Sequence, residues 1–401
     1  METIEFYYDI VCPYAYIASR RLERLAERTG AEIRWVPILL GGVYKALDAP
    51  QVPAQGWPQP KQENNARDLF RQAEKHGVPL RMPSSHPMRT VEAMRLLCAC
   101  PTENLPSLTR SLYSAYWERG EDVRNPELLD ALGSAAGVEK GAWKTKEAKE
   151  SLFKNTALAV SKGAFGVPSF FIGSQMWWGQ DRMHFLEAAL GKARKGWPRG
   201  RGSGQVVDFF HDFASPFSYL AALQIDRAAE ACGFQVRKIP ILLGALFRQI
   251  GTADVPLFTM PRQKQAYMSK DLGDWADWWG LPFTFPRHFP LRSVLPLRVS
   301  IAVPEATEAL YTAYWSEGRD ISKEEVVSEI LLGIGEDPSK ALSAAGSTEI
   351  KEQLFENTRL AVESGVFGVP TFRLGKQLWW GQDRLTETCE AVIRSGEGGP
   401  P

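Results

Sequence analysis

An internal repeat is the feature of this 401-residue sequence that most constrains its fold. FYYDIVCPYAY from Phe6 is matched by FFHDFASPFSY from Phe209, an offset of 203 residues. AVSKGAFGVPSFFIGSQMWWGQDR from Ala159 recurs from Ala361 with 16 of 24 positions identical, and VPILLG and LYSAYW recur between these blocks as IPILLG and LYTAYW. Four blocks in one order at nearly constant offset indicate duplication of a unit of domain size. We therefore predict two domains of the same fold.

The boundary between the repeats is marked by KARKGWPRGRGSGQ, residues 192–205. This segment is rich in Gly and Arg and has no apolar periodicity, which is typical of a flexible linker. We predict a first domain at 1–195, a linker at 196–205 and a second domain at 206–395.

The start of each repeat has the pattern of a βαβ unit. In the first repeat, apolar alternation predicts strands at 4–8 and 32–37, and helical spacing predicts a helix at 14–28 between them. Such a crossover is expected to be right-handed, with the two strands parallel.

The rest of the repeat combines a helical block with a hairpin. Helical spacing from about residue 61 to residue 162 is interrupted by prolines, and short apolar runs at 170–172 and 176–178 are separated by Gly173. A last helix is predicted from about Arg182. This order predicts an α/β fold class with a thioredoxin-like layout into which helices are inserted.

Composition narrows the possible partners and the compartment. Lys+Arg and Asp+Glu both total 47, so no basic field is available for a nucleic acid or an anionic membrane, and small molecules or proteins are the expected partners. No signal peptide or membrane-spanning stretch is expected from the sequence. Five irregularly spaced cysteines argue against a disulfide framework and favour a reducing compartment. We expect a cytoplasmic protein, with a mitochondrial or peroxisomal location left open.

The histidines and cysteines lack the spacing of metal ligands, so no metal site is expected.

Cys12 is the first candidate catalytic residue, because it lies at the turn between the first strand and the first helix. Pro13 suits the first helical position, and a helix N-terminus favours a thiolate, which predicts a lowered pKa and a nucleophilic or redox role. A buried structural thiol is the alternative. The second repeat has Ser215 at this position, which keeps a small polar group there and favours function. Ala15 and Ser218 stand where a second cysteine would be needed, so a Cys-x-x-Cys cycle is excluded.

A Gly-Val-Pro sequence precedes the predicted hairpin strand in each repeat, as Val167-Pro168 and Val369-Pro370. Proline at a strand entry indicates an edge or a special turn. The sequence does not decide between cis and trans peptides. In the cis form, the valine main chain would offer strand-like hydrogen bonds to an extended ligand.

A Trp-Trp-Gly-Gln-Asp-Arg motif lies between the hairpin and the last helix. Asp181 and Asp383 are the natural N-cap residues of that helix. Together with Gln180 and Gln382 they could also bind the ammonium and carboxylate groups of a ligand, and the two roles are compatible. For the paired tryptophans, a packing role is favoured over a stacking platform.

These motifs together resemble those of the 2-hydroxychromene-2-carboxylate isomerase and kappa-class glutathione transferase family, within the DsbA-like thioredoxin superfamily. The resemblance covers nearly all of both halves. It implies two thioredoxin-like (DsbA-type) α/β domains in tandem, each with an inserted helical subdomain, and glutathione as the cofactor. Ser215 matches the family serine that holds the glutathione thiolate, and Cys12 replaces it in the first repeat.

The resemblance also implies the residues that bind glutathione. They are a main-chain clamp at Val167, Pro168, Val369 and Pro370, a site for the γ-glutamyl end at Gln180, Asp181, Gln382 and Asp383, and Lys45 near the ligand. Arg248 stands at the position of Lys45 in the second repeat. Arg89 and Arg292 stand where the family often has Asn, so the electrophilic substrate is not predicted.

The function predicted is a glutathione-dependent isomerase or transferase that acts on small electrophilic, aromatic molecules. One alternative is a thiol-disulfide oxidoreductase in which Cys12 forms a mixed disulfide that external glutathione resolves. Another is a non-enzymatic binding protein that kept the thioredoxin fold. Because family members are typically homodimers, the two halves are expected to pair as an internal pseudo-dimer in a monomeric chain.

Overall fold

The computed structural model describes residues 1–193, 195–200, 202, 204–253 and 255–398. The chain divides into two compact units, and each unit consists mainly of one repeat. Unit 1 comprises Met1–Gln55, Ala66–Arg194 and Pro261–Lys264, and unit 2 comprises Gly56–Asn65, Lys195–Met260 and Gln265–Pro401.

The first repeat follows the predicted order of elements. Its strands are β1 (Thr3–Tyr8), β2 (Glu32–Pro37), β3 (Ser169–Ile172) and β4 (Gln175–Trp178). Its helices are α1 (Pro13–Thr29), α2 (Leu40–Ala46), α3 (Gln59–Lys75), α4 (Val91–Ala99), α5 (Leu105–Tyr113), α6 (Pro126–Ala135), α7 (Lys146–Ser161) and α8 (Met183–Ala189). The predicted strands and helices of the βαβ start and the hairpin are confirmed to within a few residues.

The second repeat has the same order of elements, with one additional α-helix at Pro338–Ala345. Its strands are β5 (Val206–His211), β6 (Gln235–Pro240), β7 (Thr371–Leu374) and β8 (Gln377–Trp380). Its helices are α9 (Pro216–Cys232), α10 (Leu243–Ile250), α11 (Arg262–Trp279), α12 (Val294–Ala302), α13 (Ala306–Trp315), α14 (Glu324–Gly333), α15 (Pro338–Ala345), α16 (Thr348–Glu363) and α17 (Leu385–Gly396).

Each repeat forms one four-stranded sheet, ordered β2-β1-β3-β4 in the first and β6-β5-β7-β8 in the second. The predicted parallel pairing of the first two strands is confirmed, and the other pairs are antiparallel. The long helical insertion separates the parallel strands from the hairpin. Each repeat is therefore an α/β thioredoxin-like domain with inserted helices.

Aromatic side chains on the central strands hold each sheet to its core. Phe6 stacks on Phe170 at 5.3 Å between ring centroids, and Phe209 stacks on Phe372 at 5.6 Å. All four residues are fully buried. Burying such a side chain contributes about 1.5–3 kcal/mol. The Phe6–Phe170 pair therefore stabilises the pairing of β1 with β3, and the Phe209–Phe372 pair that of β5 with β7.

The segment predicted as a flexible linker differs from that prediction where the structure describes it. Positions 201 and 203 lie outside the described residues. Trp197 stacks on Trp279 at 4.6 Å, and the main-chain N–H of Gly202 donates to the carbonyl of Cys232 at 2.9 Å. These contacts, all within unit 2, hold the described linker positions in place.

In the part of the chain that the structure describes, none of the helices combines the length and the apolar character needed to cross a bilayer.

Candidate functional site

Cys12 lies at the start of α1 in unit 1, where the turn after β1 meets the loop before β3. It adopts an extended backbone and is followed by Pro13 in the first helical turn. Its Sγ donates a hydrogen bond to the main-chain oxygen of Val167 at 3.3 Å. The Val167–Pro168 peptide is cis. The fold thus brings together two predicted site segments that are 155 residues apart.

Ser215 has the same position in unit 2. Its Oγ donates to the main-chain oxygen of Val369 at 3.1 Å and accepts from the N–H of Ser218 at 3.2 Å. The Val369–Pro370 peptide is also cis. Ser215 therefore caps α9 through its side chain, whereas Cys12 makes no side-chain cap.

The main chain beside each cis proline has one donor left to offer. The carbonyls of Pro168 and Pro370 accept from Gly179 and Gly381 at 3.0 Å and 2.9 Å. The main-chain N–H groups of the preceding valines, by contrast, have no hydrogen-bond partner among the described residues. A buried N–H that lacks a partner is costly, so an extended ligand that supplies a carbonyl would be bound there.

The lowered pKa expected for Cys12 is wrong for this structure. Burial of the thiol outweighs the stabilising N–H groups of Ala15 and Tyr14 and raises the pKa of Cys12 to about 12. The nearby carboxyl of Asp9 raises it further. Cys12 is therefore a neutral thiol near neutral pH and acts as a hydrogen-bond donor, as Ser215 does.

A buried carboxyl lies three residues before each of these positions and was missed in the sequence analysis. Asp9 accepts hydrogen bonds from the main chain of Val11 and Leu40 and from Thr90 Oγ1 at 2.8–3.1 Å. Burial raises the pKa of Asp9 in spite of these bonds, and Asp212 behaves in the same way in unit 2. The signal was available, because both repeats read Asp-x-x-Cys/Ser.

Tyrosines form the other walls of the Cys12 site. Burial raises the pKa of Tyr44 and of Tyr113, and the proximity of Cys12 adds to both shifts. Unit 2 has Phe247 in place of Tyr44, so its site lacks this phenol. Tyr311, the counterpart of Tyr113, lies 3.0 Å from Nδ1 of the buried His211.

Asp181 and Asp383 do not cap the last helices, which corrects the predicted role. The N-cap residues of α8 and α17 are Arg182 and Arg384, and neither forms a side-chain cap. Each aspartate lies in a 3₁₀ turn and folds over the preceding glycine, where a Cβ would come within 2.5 Å of Asp181 Oδ1. Each aspartate also pairs with the following arginine, at 3.1 Å for Asp181 and 3.2 Å for Asp383.

The two glutamines of the motif have different surroundings. Gln180 is buried, and its amide donates to Gln72 Oε1 at 3.0 Å and accepts from the guanidinium of Arg21. Its polar atoms are thus used within unit 1. Gln382 is also buried, but its Nε2 has no hydrogen-bond partner among the described residues. Gln382 therefore has a free donor for a ligand or a water molecule, whereas Gln180 orients the turn.

Lysines near the tryptophans were not found from the sequence. In unit 1, Lys264 lies 5.2 Å from the ring centroid of Trp178, and burial lowers its pKa. In unit 2, Lys61 lies 5.5 Å from the ring centroid of Trp380. Lys45, the lysine predicted to lie near the ligand, is exposed in the last turn of α2.

Among the described residues, no group of three or more His, Cys, Asp or Glu side chains could hold a metal ion.

Comparisons with known proteins place both halves in one family. The family model described as "DSBA-like thioredoxin domain" matches residues 3–191 and again 206–392. A 2-hydroxychromene-2-carboxylate isomerase of Pseudomonas putida is 34% identical over 184 residues, which are 45% of this chain and 90% of that protein. Glutathione S-transferase kappa 2 of Caenorhabditis elegans is 27% identical over 214 residues, 48% of this chain and 94% of that protein.

Among solved structures, one of a 2-hydroxychromene-2-carboxylate isomerase has 26% identity and a TM-score of 0.40, and the match covers 47% of this chain and 94% of that one.

Proposed function

The chain belongs to the family of 2-hydroxychromene-2-carboxylate isomerases and kappa-class glutathione transferases, as two tandem DSBA-like thioredoxin domains, and we propose that it is a glutathione-dependent isomerase or transferase. Its substrates in this proposal are small electrophilic aromatic molecules. The observation that carries the proposal is the contact of Cys12 Sγ or Ser215 Oγ with the valine carbonyl before a cis proline, beside a valine N–H that has no hydrogen-bond partner among the described residues.

The residues of both sites fit a bound glutathione. The N–H of Val167 or Val369 would donate a hydrogen bond to the main-chain carbonyl of its cysteine residue, which places the sulfur at the start of α1 or α9. Asp181 or Asp383 would bind the ammonium of the γ-glutamyl end, with Gln382 as a further donor in unit 2. Once bound, glutathione supplies a thiolate that can add to an electrophilic carbon.

The chain's own residues would then stabilise that thiolate. Ser215 would donate its hydroxyl proton as a hydrogen bond to the sulfur, and the N–H groups of the first helical turn would face the same negative charge. The neutral thiol of Cys12 can donate in the same way at the first site. Neither residue needs to lose its proton in this role.

The raised pKa of Cys12 weighs against the oxidoreductase alternative. Thiol-disulfide exchange requires an attacking thiolate, and a thiol with a pKa near 12 supplies very little of it at neutral pH. Ser215 cannot form a mixed disulfide at all. Both sites are therefore better suited to binding a ligand's sulfur than to thiol-disulfide exchange through a side chain of the protein.

We also propose how the chain is organised. The domains extend over 1–195 and 206–395, joined by 196–205, and the protein is a cytoplasmic monomer whose halves pair as an internal pseudo-dimer. The support is the duplication itself, because a tethered copy has a high effective concentration. Sizing should give a mass near 44.8 kDa. A larger mass, or independent tumbling of the halves by NMR relaxation, would contradict this organisation.

Calorimetry and turnover assays on the full chain test the function. Glutathione should bind to the wild type, and Val167→Pro and Val369→Pro, which each remove a main-chain donor, should each abolish one site. Chromene carboxylates or halogenated aromatics should turn over only with glutathione. Turnover of disulfides alone would favour the oxidoreductase, and glutathione binding without turnover would favour a binding protein.

A further inference from the structure

Two cysteines of unit 2 lie against each other at a distance from the Ser215 site. Cys232 is the last residue of α9, and Cys389 lies in α17, which packs against α9. Both are fully buried free thiols, and they are in hydrogen-bonding contact with each other. Ser215 is at the opposite end of α9, a helix of 17 residues. The two thiols are therefore about 25 Å along the helix from Ser215.

The first repeat has an ion pair at the place where the second repeat has these thiols. Glu187, the counterpart of Cys389, forms a salt bridge with Arg28 and so joins α8 to the end of α1. Ala231 stands in place of Arg28 in the second repeat, so this ion pair is not possible there. The same two helices are instead joined by the contact between Cys232 and Cys389.

The segment between the repeats covers the Cys232 thiol. Cys232 Sγ donates a hydrogen bond to the carbonyl of Pro198 at 3.2 Å, and the N–H of Gly202 donates to the carbonyl of Cys232 at 2.9 Å. A Cβ on Gly202 would lie 2.5 Å from Val392 Cγ1 in α17 and 2.7 Å from the Cys232 carbonyl oxygen. Local displacement of this short segment would therefore uncover Cys232 without unfolding α9 or α17.

The contact between the two thiols makes them chemically different. A hydrogen bond from Cys389 to the sulfur of Cys232 lowers the pKa of Cys232. The same interaction raises the pKa of Cys389. Because the thiolate is the form of cysteine that attacks, Cys232 is the residue expected to react first with an oxidant. Cys389 then lies in position to react with the oxidised sulfur.

We propose that Cys232 and Cys389 are a redox-sensitive pair, which hydrogen peroxide converts to a disulfide between α9 and α17 when the covering segment moves. The Cys232 sulfur attacks a peroxide oxygen and the O–O bond breaks, which gives a sulfenic acid and one water. The Cys389 sulfur then attacks the Cys232 sulfur, the S–O bond breaks, and a second water leaves. The thiols lose two electrons and two protons, and the peroxide takes up both.

The disulfide would connect the two parts of the chain that carry the Ser215 site. α9 begins directly after Ser215, and α17 begins directly after the turn that contains Asp383. A cross-link that closes so long a segment of chain restricts the unfolded state and stabilises the fold. Oxidation would therefore stabilise unit 2, whereas unit 1, which lacks both thiols, would be unaffected.

Peptide mass spectrometry without reductant, after peroxide treatment of the folded full chain, tests the proposal. The peptides of Cys232 and Cys389 should be recovered linked, and the linked protein should melt about 5 °C or more above the reduced one. In Cys232→Ser neither change should occur. In Cys389→Ser the reaction should stop at the sulfenic acid, which dimedone traps on Cys232. Cys98→Ser is the matched control and should form the link at the wild-type rate.

The covering segment is tested separately with Gly202→Ala, whose new methyl group displaces it. The link should then form about fivefold faster than in the wild type, because Cys232 is uncovered more often. Gly244→Ala, which has nothing within 4 Å of its Cβ, should leave the rate unchanged. Equal rates in both variants would refute the covering role of the segment. A link that forms only in urea, or peroxide oxidation of the other cysteines alone, would show that the folded protein does not use this pair.

Discussion

The thiol of Cys12 donates a hydrogen bond to the main-chain oxygen of Val167, at 3.3 Å across 155 residues of sequence. The same bond is made by the hydroxyl of Ser215 to Val369 at 3.1 Å. A thiolate could not make it, because it has no proton to donate. In both repeats the residue after the first strand is therefore a neutral hydrogen-bond donor. The chemistry of each site depends on the ligand atom that accepts a hydrogen bond from this donor.

The first prediction concerns the reactivity of Cys12. Burial holds its pKa near 12, so the ligand-free protein should contain little Cys12 thiolate at neutral pH. Iodoacetamide should alkylate Cys12 more slowly than a free thiol, with a pH midpoint above about 8.5. Peptide mass spectrometry over a pH series measures this. Cys12→Ser, which imitates the second repeat, should keep glutathione binding, and preferential labelling of Cys12 at pH 7 would contradict the assignment.

The second prediction concerns the acidic end of the glutathione site. Asp181→Ala and Asp383→Ala should each weaken glutathione at one site and leave the other intact, because a charge-assisted hydrogen bond is lost. The expected loss is about 1.5–3 kcal/mol, or roughly ten- to a hundredfold in affinity. Calorimetry with two resolved sites checks it. Asp181→Asn keeps the shape and should lose nearly as much, since the charge is what binds the ammonium.

The third prediction concerns Gly179, which lies close to the side chain of Asp181. Gly179 has φ near 104°, and a Cβ there would lie 2.5 Å from Asp181 Oδ1. Gly179→Ala should therefore destabilise unit 1 by about 1–3 kcal/mol and displace Asp181, so glutathione affinity at that site should fall as well. Gly244→Ala is the control, because nothing lies within 4 Å of its Cβ and its φ is not positive. Equal thermal stability of the two variants would refute the argument.

The sequence was sufficient for the fold and for the core of the site. The repeat located Cys12, Ser215 and both Val-Pro segments, and hydrophobic periodicity located the strands that bring them together. It could not assign the cis peptides, because X–Pro bonds differ by only about 0.5–1 kcal/mol between isomers.

Properties set by tertiary surroundings were also beyond the sequence. A helix N-terminus alone predicts a lowered pKa for Cys12, but burial decides the opposite sign. Lys264 belongs to the same unit as Trp178 although 86 positions separate them in the chain. No local sequence pattern predicts a cation–π contact between residues so far apart in the chain.

The last prediction concerns acid stability. His211 is fully buried beside Tyr311, and burial lowers its pKa to about 3. In the unfolded chain a histidine titrates near 6.5, so below that pH the unfolded state binds a proton that the folded state excludes. Because of His211, the free energy of unfolding therefore falls on acidification, by about 1.4 kcal/mol per pH unit between about pH 6.5 and pH 3.

His211→Tyr tests this prediction, because the first repeat has Tyr8 at the same position and bonds it to Thr109 at 2.6 Å. Thr307 is available as the equivalent partner in the second repeat. Between pH 7.5 and 5.0, urea unfolding should show that the wild type loses about 2 kcal/mol more than the variant. Raised carboxyl pKa values such as that of Asp212 act in the opposite direction, but they are shared by both proteins and cancel in the difference. Equal losses in the two proteins would mean that His211 is protonated in the folded state.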